Sequence, residues 1–303
     1  MTAAKFRMRL PATSANLGSG FDTAAIALGF FLEIEAAPAD EFSIKATGID
    51  SQICSRLDGN LILDVYARVL RENGRTIQPL AIDMRNEIPL GMGCGSSAAG
   101  RLAAIAMAAH FGDLGWSSDR ILEEACSLEG HPDNAAACWL GGFVAAASEG
   151  KAVRVATVEP PSEWRAIIVQ PPQALATTTA RAVLPDTYCS SDVVANLQSL
   201  SMLGLAFSQR RGDLLRVAMR DCVHQPYRAE ICSYLSKLLP LAGKESILGV
   251  ALSGAGPAVL VIVESDSGVD QARRDILAVL RETDSPKLVV CGFECEGARN
   301  FWK

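Results

Sequence analysis

Pro89-Leu-Gly-Met-Gly-Cys-Gly-Ser-Ser-Ala-Ala99 sets three glycines at alternate positions directly ahead of an alanine-rich stretch of helix formers, residues 98–110. Glycine permits positive φ and close approach of the backbone to a ligand, and a helix start offers unpaired N–H groups at the positive end of its dipole. That combination suits an anion, above all a phosphate. Ser96 and Ser97 stand at the helix entry, where a hydroxyl can cap the helix or turn towards a magnesium ion or a phosphate oxygen. A flexible turn capped by serine is the plainer reading of the same residues. The loop is not a Walker A sequence, because Ser96 follows the final glycine where lysine is required, and its glycine spacing is not the dinucleotide fingerprint. Without a loop lysine, phosphate charge has to be met by a metal, by the helix dipole or by arginines elsewhere in the chain.

Outward from this loop, strand and helix signals interleave. Residues 5–10 and 24–36 alternate as strands on either side of a loop at 11–22, residues 60–73 carry helical spacing, and residues 80–85 form another strand. Downstream come a helix over 118–128, the turn 129–134, and a glycine-bearing strand region through Ala147. A mixed segment at 149–163 marks the crossover, so the chain divides into an N-terminal domain, 1–155, and a C-terminal domain, 156–303. The second part reads as a strand at 165–170, helices at 192–209 and 213–222, a glycine-interrupted strand pair over 250–264, a helix over 269–282 and a strand over 287–293. The mixture is α+β.

Three more clusters carry polar chemistry. Leu252-Ser-Gly-Ala-Gly-Pro-Ala258 can close on the same ligand as the first loop, brace it, or simply turn the chain between strands. In residues 11–22, PATSANLGSGFD, Asn16 and Asp22 flank Gly18 and Gly20 and can aim an amide and a carboxylate at a small polar ligand; an Asx-rich hairpin is the alternative. Glu129-Gly-His-Pro-Asp-Asn134 compresses two carboxylates and an imidazole into one turn, and either acid can hold magnesium, although Asp133 and Asn134 also suit a helix cap. Arg181 and Arg228 offer forks for a carboxylate or phosphate.

The bulk properties exclude several classes. The 303 residues carry a net charge of −6 with no basic run, which argues against nucleic-acid binding, and no apolar stretch reaches the length of a membrane span. The first 20 residues lack the apolar core of a secretory signal, so the cytoplasm is expected. Nine cysteines without metal-ligand spacing read as reduced, mostly buried thiols.

Taken in order, PATSANLGSGFD, PLGMGCGSSAAG, EGHPDN, RAVLP and LSGAGPAVLV resemble the GHMP kinase superfamily over residues 11–263, with Cys94 in place of the usual leucine of PxxxGLGSSAA. The SANLGSGFD segment, the GHPDN turn and the arginine before Leu-Pro are similar to its homoserine kinase branch. The resemblance implies a two-domain fold, with an N-terminal domain like ribosomal protein S5 domain 2 and an α+β C-terminal domain, ATP and Mg2+ in the cleft between them, and a homodimer. It implies contacts to the amino-acid substrate from Asn16, Asp22, His131, Asp133, Arg181 and Arg228, with Asp22 near the hydroxyl, Asp133 facing the amino group and the arginines on the carboxylate. Pro89, Gly91, Gly93, Gly95, Ser96, Ser97, Ala98 and Ala99 would wrap the phosphates, and Asn60 would reach the adenine. Ser97 and Glu129 would hold magnesium, with Glu123 and Glu124 competing for the second role. Another alcohol such as mevalonate, shikimate or a sugar is the alternative substrate, and a non-catalytic nucleotide binder is the alternative class.

Overall fold

The computed structural model describes residues 5–280 and 285–301. Strand β1 (Phe6–Asn16) turns back into the long β2 (Gly20–Pro38), and the two pair antiparallel from Phe6↔Ala36 to Asn16↔Gly20. Next come β3 (Ser43–Gly48), α1 (Ser51–Cys54), α2 (Leu61–Glu72) and β4 (Leu80–Asn86). Helices α3 (Ser96–Phe111), α4 (Ser118–Glu129) and α5 (Asp133–Leu140) precede β5 (Phe143–Glu149) and β6 (Ala152–Val158). The sheet runs β3-β4-β2-β5-β6, with β1 also on β2; only β3 and β4 are parallel. In β4, Leu80, Ile82 and Met84 alternate inward between exposed Ala81, Asp83 and Arg85, the period of a sheet with one wet face. Helix α3 packs on α2, α4, α5 and β1, and its alanines let those neighbours come close.

The second unit holds β7 (Arg165–Gln170), α6 (Thr177–Ala182), α7 (Ser190–Ser208), α8 (Leu215–Ala218), α9 (Gln225–Arg228) and α10 (Ser233–Leu238). Strands β8 (Ile247–Leu252) and β9 (Val259–Val263), helix α11 (Asp266–Val279) and β10 (Lys287–Cys291) complete it, giving an antiparallel sheet β10-β7-β9-β8. All five residues of β9 are buried because alternate side chains enter two cores: Leu260 and Ile262 join Phe207 and Leu215, while Val259, Val261 and Val263 join Leu235, Leu238 and Ile276.

Several expectations change. The strand expected to stop at Leu10 continues to Asn16, since Thr13, Ser14 and Asn16 are buried and find partners in other segments. The helix expected over 213–222 breaks into a 3-10 turn and the four-residue α8, because Asp221 turns inward to accept from the backbone N–H groups of Val223, His224 and Gln225. Strand β3 and the short helices α1, α6, α9 and α10 have no counterpart in the sequence reading. Strand β6 straddles the 155/156 division, and a boundary within 159–164 keeps both sheets whole. Residues 281–282 of the expected last helix, and 1–4 of the expected leaderless start, lie outside the described residues.

Among the described residues, no helix is long and apolar enough to cross a membrane. All nine cysteines are free; Cys94, Cys126, Cys138 and Cys232 are buried, whereas Cys189 and Cys295 are exposed. Burial pushes the Cys94 and Cys126 thiols up to about 12, so neither is a thiolate near neutrality.

Candidate active site

Three glycine-rich turns from distant parts of the sequence meet at one place. The phosphate-type loop is pinned to β1 by the Thr13 N–H donating to Cys94 O at 3.1 Å, and to the 253–257 turn by Ser253 Oγ donating to Gly93 O at 2.8 Å. Ser253 Oγ also lies 2.9 Å from Ser14 Oγ, Gly254 N–H donates to Ala15 O at 3.0 Å, and Asn16 Nδ2 donates to Gly254 O at 2.8 Å. The 252–258 segment therefore braces the first loop and also lines the cavity.

Gly91, Gly93 and Gly95 all have positive φ, and at Gly93 there is no room for a side chain: a Cβ would overlap Ser253 O and stand 2.9 Å from Gly256 O. Gly93→Ala is expected to abolish nucleotide binding or soluble expression, through strained φ and a forced parting of the two turns. Calorimetric titration with an ATP analogue checks it; wild-type affinity would contradict the packing argument.

Helix α3 starts at Gly95 with φ 74° and no side-chain cap, so Ser96 and Ser97 do not cap it as the sequence allowed. Its first N–H groups border a cavity of about 420 Å3 whose walls include the three loop glycines, Ser96, Ser97, Ala98, Asn16, Asp22, Glu129, His131, Asp133, Arg181 and Arg228. The candidate substrate residues thus converge with the loop. Pro89 and Ala99 do not line the cavity: Pro89 is buried behind the loop, and Ala99 sits in the hydrophobic core.

A second, more apolar cavity of about 290 Å3 shares Ser96 and Ser97 with the first and is walled by Leu32, Ile53, Ile62, Met84, Ile88 and Leu90. Asn60 borders it, but its amide is fully engaged. Nδ2 donates to Cys54 O and Arg56 O at 3.1 and 2.8 Å, while Oδ1 accepts from Ile62 N and Leu63 N. Asn60 thus stands on the wall of this cavity while its amide caps α2 and holds the 54–59 loop.

On the substrate side, Asp22 has a left-handed backbone, φ 52°, and its N–H donates to Asn16 Oδ1 at 3.0 Å. Arg181 forks onto its carboxylate, NH2 to Oδ1 at 2.7 Å and NH1 to Oδ2 at 3.0 Å. That hydrogen bond raises the Arg181 pKa, against the lowering effect of burial. Arg228 is only 1% exposed and donates to neutral acceptors: Ala180 O at 3.0 Å, His224 Nδ1 at 3.1 Å and Gly254 O at 3.3 Å. Among the described residues no carboxylate lies within ion-pair distance of it. Burial, and then the charge of Arg181, press its pKa downward, with Asp22 pulling the other way. His224, itself buried, accepts from Arg228 at Nδ1 and therefore donates from Nε2 to Gly18 O at 2.9 Å, the neutral tautomer that its lowered pKa favours.

His131 Nδ1 lies 2.6 Å from Asp133 Oδ1, a carboxylate that is 1% exposed and also accepts from Asn134 N–H. Burial alone would lower the His131 pKa, but the hydrogen bond and charge of Asp133, then Asp22 and Glu129, outweigh it and raise the pKa above 6.5. A raised folded-state value means the pair's stabilisation is complete below pH 6.5 and is lost as pH rises through that value. The stability difference between wild type and His131→Gln, from urea unfolding at several pH values, is expected to shrink as pH rises; a widening gap would contradict the pairing.

For magnesium, Ser97 Oγ lies 2.9 Å from Glu129 Oε1, two oxygen donors of the kind Mg2+ prefers beside the phosphate loop. The residues fit the ion. Glu123 and Glu124 line a different cavity, and Glu124 pairs with Arg120 at 2.7 Å, so of the three glutamates Glu129 alone borders the cavity with Ser97. Arg101, which the sequence reading passed over, bonds both Ser97 Oγ and Glu129 Oε1. A signal was available: it is the one arginine in a helix whose other residues, His110 apart, are small or apolar, and it stands four positions after Ser97.

Comparison with known proteins agrees with this geometry. Residues 60–142 match the family described as GHMP kinases N terminal domain, and residues 205–282 match GHMP kinases C terminal. The homoserine kinase of Solibacter usitatus is 41% identical over 260 residues, covering 86% of this chain and 85% of that protein. The structure of a putative homoserine kinase from Listeria monocytogenes superposes with a TM-score of 0.79 at 26% identity, covering 96% of this chain and 97% of that one. A homoserine kinase structure from Cytophaga hutchinsonii shares the fold with a TM-score of 0.79, at 23% identity and covering 98% and 97%. With curated relatives at this identity along most of its length, and with their superfamily's loops closing on one cavity, the chain belongs to the homoserine kinase family of the GHMP kinases.

Proposed function

We propose that this chain transfers the γ-phosphoryl group of ATP to the side-chain hydroxyl of L-homoserine, giving O-phospho-L-homoserine, a precursor of threonine. The observation that carries the substrate choice is Arg228, a buried guanidinium at the cavity wall whose described partners are all neutral. Burying a cation without an anion is costly, and a ligand carboxylate removes that cost. Asp133, a buried carboxylate on the same cavity, suits the substrate ammonium group.

The chain's own residues then divide the work. The apolar cavity beside α2 suits an adenine ring, and the 91–98 turn offers N–H groups to the phosphates. Asp22, oriented by Arg181 and by Asn16, is positioned to take or direct the hydroxyl proton. Ser97 and Glu129 would hold Mg2+, which when bound neutralises phosphate charge. Phosphoryl transfer through a loose transition state depends chiefly on such alignment and charge, so no strong base is required.

The test is ADP release from Mg-ATP with L-homoserine, L-serine, mevalonate, shikimate or galactose as acceptor. Release dependent on L-homoserine is expected. Release with another alcohol alone would overturn the substrate pocket, and nucleotide binding without turnover on any acceptor would make the chain a non-catalytic binder.

A further inference from the structure

The phosphate loop lacks the lysine that other nucleotide-binding loops use, yet a cation stands at its helix. Helix α3 reads SSAAGRLAAIAMAAHF, and eleven of its residues, Ala98–Gly100 and Leu102–Ala109, are buried around Arg101. An arginine in such a helix sacrifices packing unless its charge has a task. Residues 97 and 101 lie four apart and so share a helix face, which turns the guanidinium back over the first turn towards the cavity. There it bonds Ser97 Oγ and Glu129 Oε1, the two oxygens best suited to the divalent cation, while Glu129 Oε2 lies 3.9 Å from His131 Nε2. Glu129 is 9% exposed, and its one short ion pair among the described residues is with Arg101.

Resting on the reading of this site as a phosphoryl-transfer site, we infer that Arg101 is a further phosphate-binding residue and the built-in counter-cation of the metal position. Without nucleotide it neutralises Glu129 and holds Ser97 and Glu129 together. A divalent cation competes with it for both oxygens, and the released guanidinium bonds the phosphate oxygens of the nucleoside triphosphate, the role a loop lysine fills elsewhere. The positive charge at the loop is thus conserved through the exchange. Both bonds come from one guanidinium nitrogen, NH1, so the part asks for a cation on a long, flexible stem, which a lysine ammonium can also supply.

The inference separates from a merely structural salt bridge by two binding measurements on the full chain. Mn2+ binding to nucleotide-free protein, followed by electron paramagnetic resonance, is expected to tighten about tenfold in Arg101→Met, because the competing cation is gone, and to disappear when Glu129→Gln is added. Binding of the non-hydrolysable analogue AMPPNP in EDTA, followed by calorimetry, is expected to weaken about tenfold in Arg101→Met. In Arg101→Lys, which keeps the charge and decides the matter should the methionine variant not fold, metal-free AMPPNP affinity is expected to stay within about threefold of wild type. Unchanged Mn2+ affinity in Arg101→Met, Mn2+ binding that survives Glu129→Gln, or a lysine variant as deficient as a neutral one would each overturn the inference. Failure of the wild type to bind AMPPNP with or without metal would instead overturn the phosphoryl-transfer reading, and the Mn2+ titration, which contains no nucleotide, would still decide whether Arg101 competes for the metal position.

Discussion

Asp22→Ala is expected to lower kcat about a hundred- to ten-thousandfold, the range for loss of a positioned group that handles a proton, with a much smaller effect on ATP affinity. The carboxylate is fixed three ways: by a left-handed backbone at φ 52°, by the Asn16 amide on its own N–H, and by the Arg181 fork on its two oxygens. A bidentate fork leaves each carboxylate oxygen a further lone pair, so Asp22 can accept from a substrate hydroxyl without breaking from Arg181. Removing the side chain deletes the acceptor and frees Arg181, so the hydroxyl loses its direction of approach. Asp22→Asn separates these effects, since the amide keeps the volume and one acceptor but cannot take a proton. Steady-state kinetics on both variants is the measurement, and kcat within a few-fold of wild type in each would remove Asp22 from the chemistry.

Arg228→Ala is expected to raise KM for L-homoserine about a hundredfold, in line with losing a desolvated charge pair, and to abolish protection from heat by that ligand. Its effect on the unliganded protein is smaller because two terms oppose. Alanine leaves Ala180 O and His224 Nδ1 without this donor, at roughly 1–3 kcal/mol for each group that water cannot reach, while Gly254 O keeps the Asn16 amide. It also removes the desolvation cost of a cation with no carboxylate partner, which is several kcal/mol after relaxation. A net loss of at most about 2 kcal/mol follows, so the variant should fold and its kinetics can be read. A collapse in kcat with KM unchanged would mean that Arg228 holds the site together and does not bind substrate.

The parts legible in the sequence are those with local causes. Strand β4 announces itself through its two-residue alternation, α2 through helical spacing, and α3 through a glycine loop followed by alanines. The extension of β1 through Thr13, Ser14 and Asn16 was not legible, because buried polar residues resemble a loop until their partners are known, and those partners are Asn134, Ser253 and Gly254. The same holds for Asn60, whose amide suits a base and a helix cap alike. Convergence of the site could be read as far as residue types allowed, but the bond between Arg181 and Asp22 joins positions 159 apart and is a property of the fold. Arg101 falls between these cases: its place on α3 was visible, while its task depended on Glu129 arriving from α4.

Phosphorus NMR of the wild-type protein with Mg-ATP and L-homoserine follows phosphoryl transfer to the homoserine hydroxyl itself. A phosphomonoester signal split by the neighbouring methylene protons, growing in step with ADP, is the predicted result; conversion of ATP to ADP and inorganic phosphate alone, or an unchanged ATP spectrum, would contradict it.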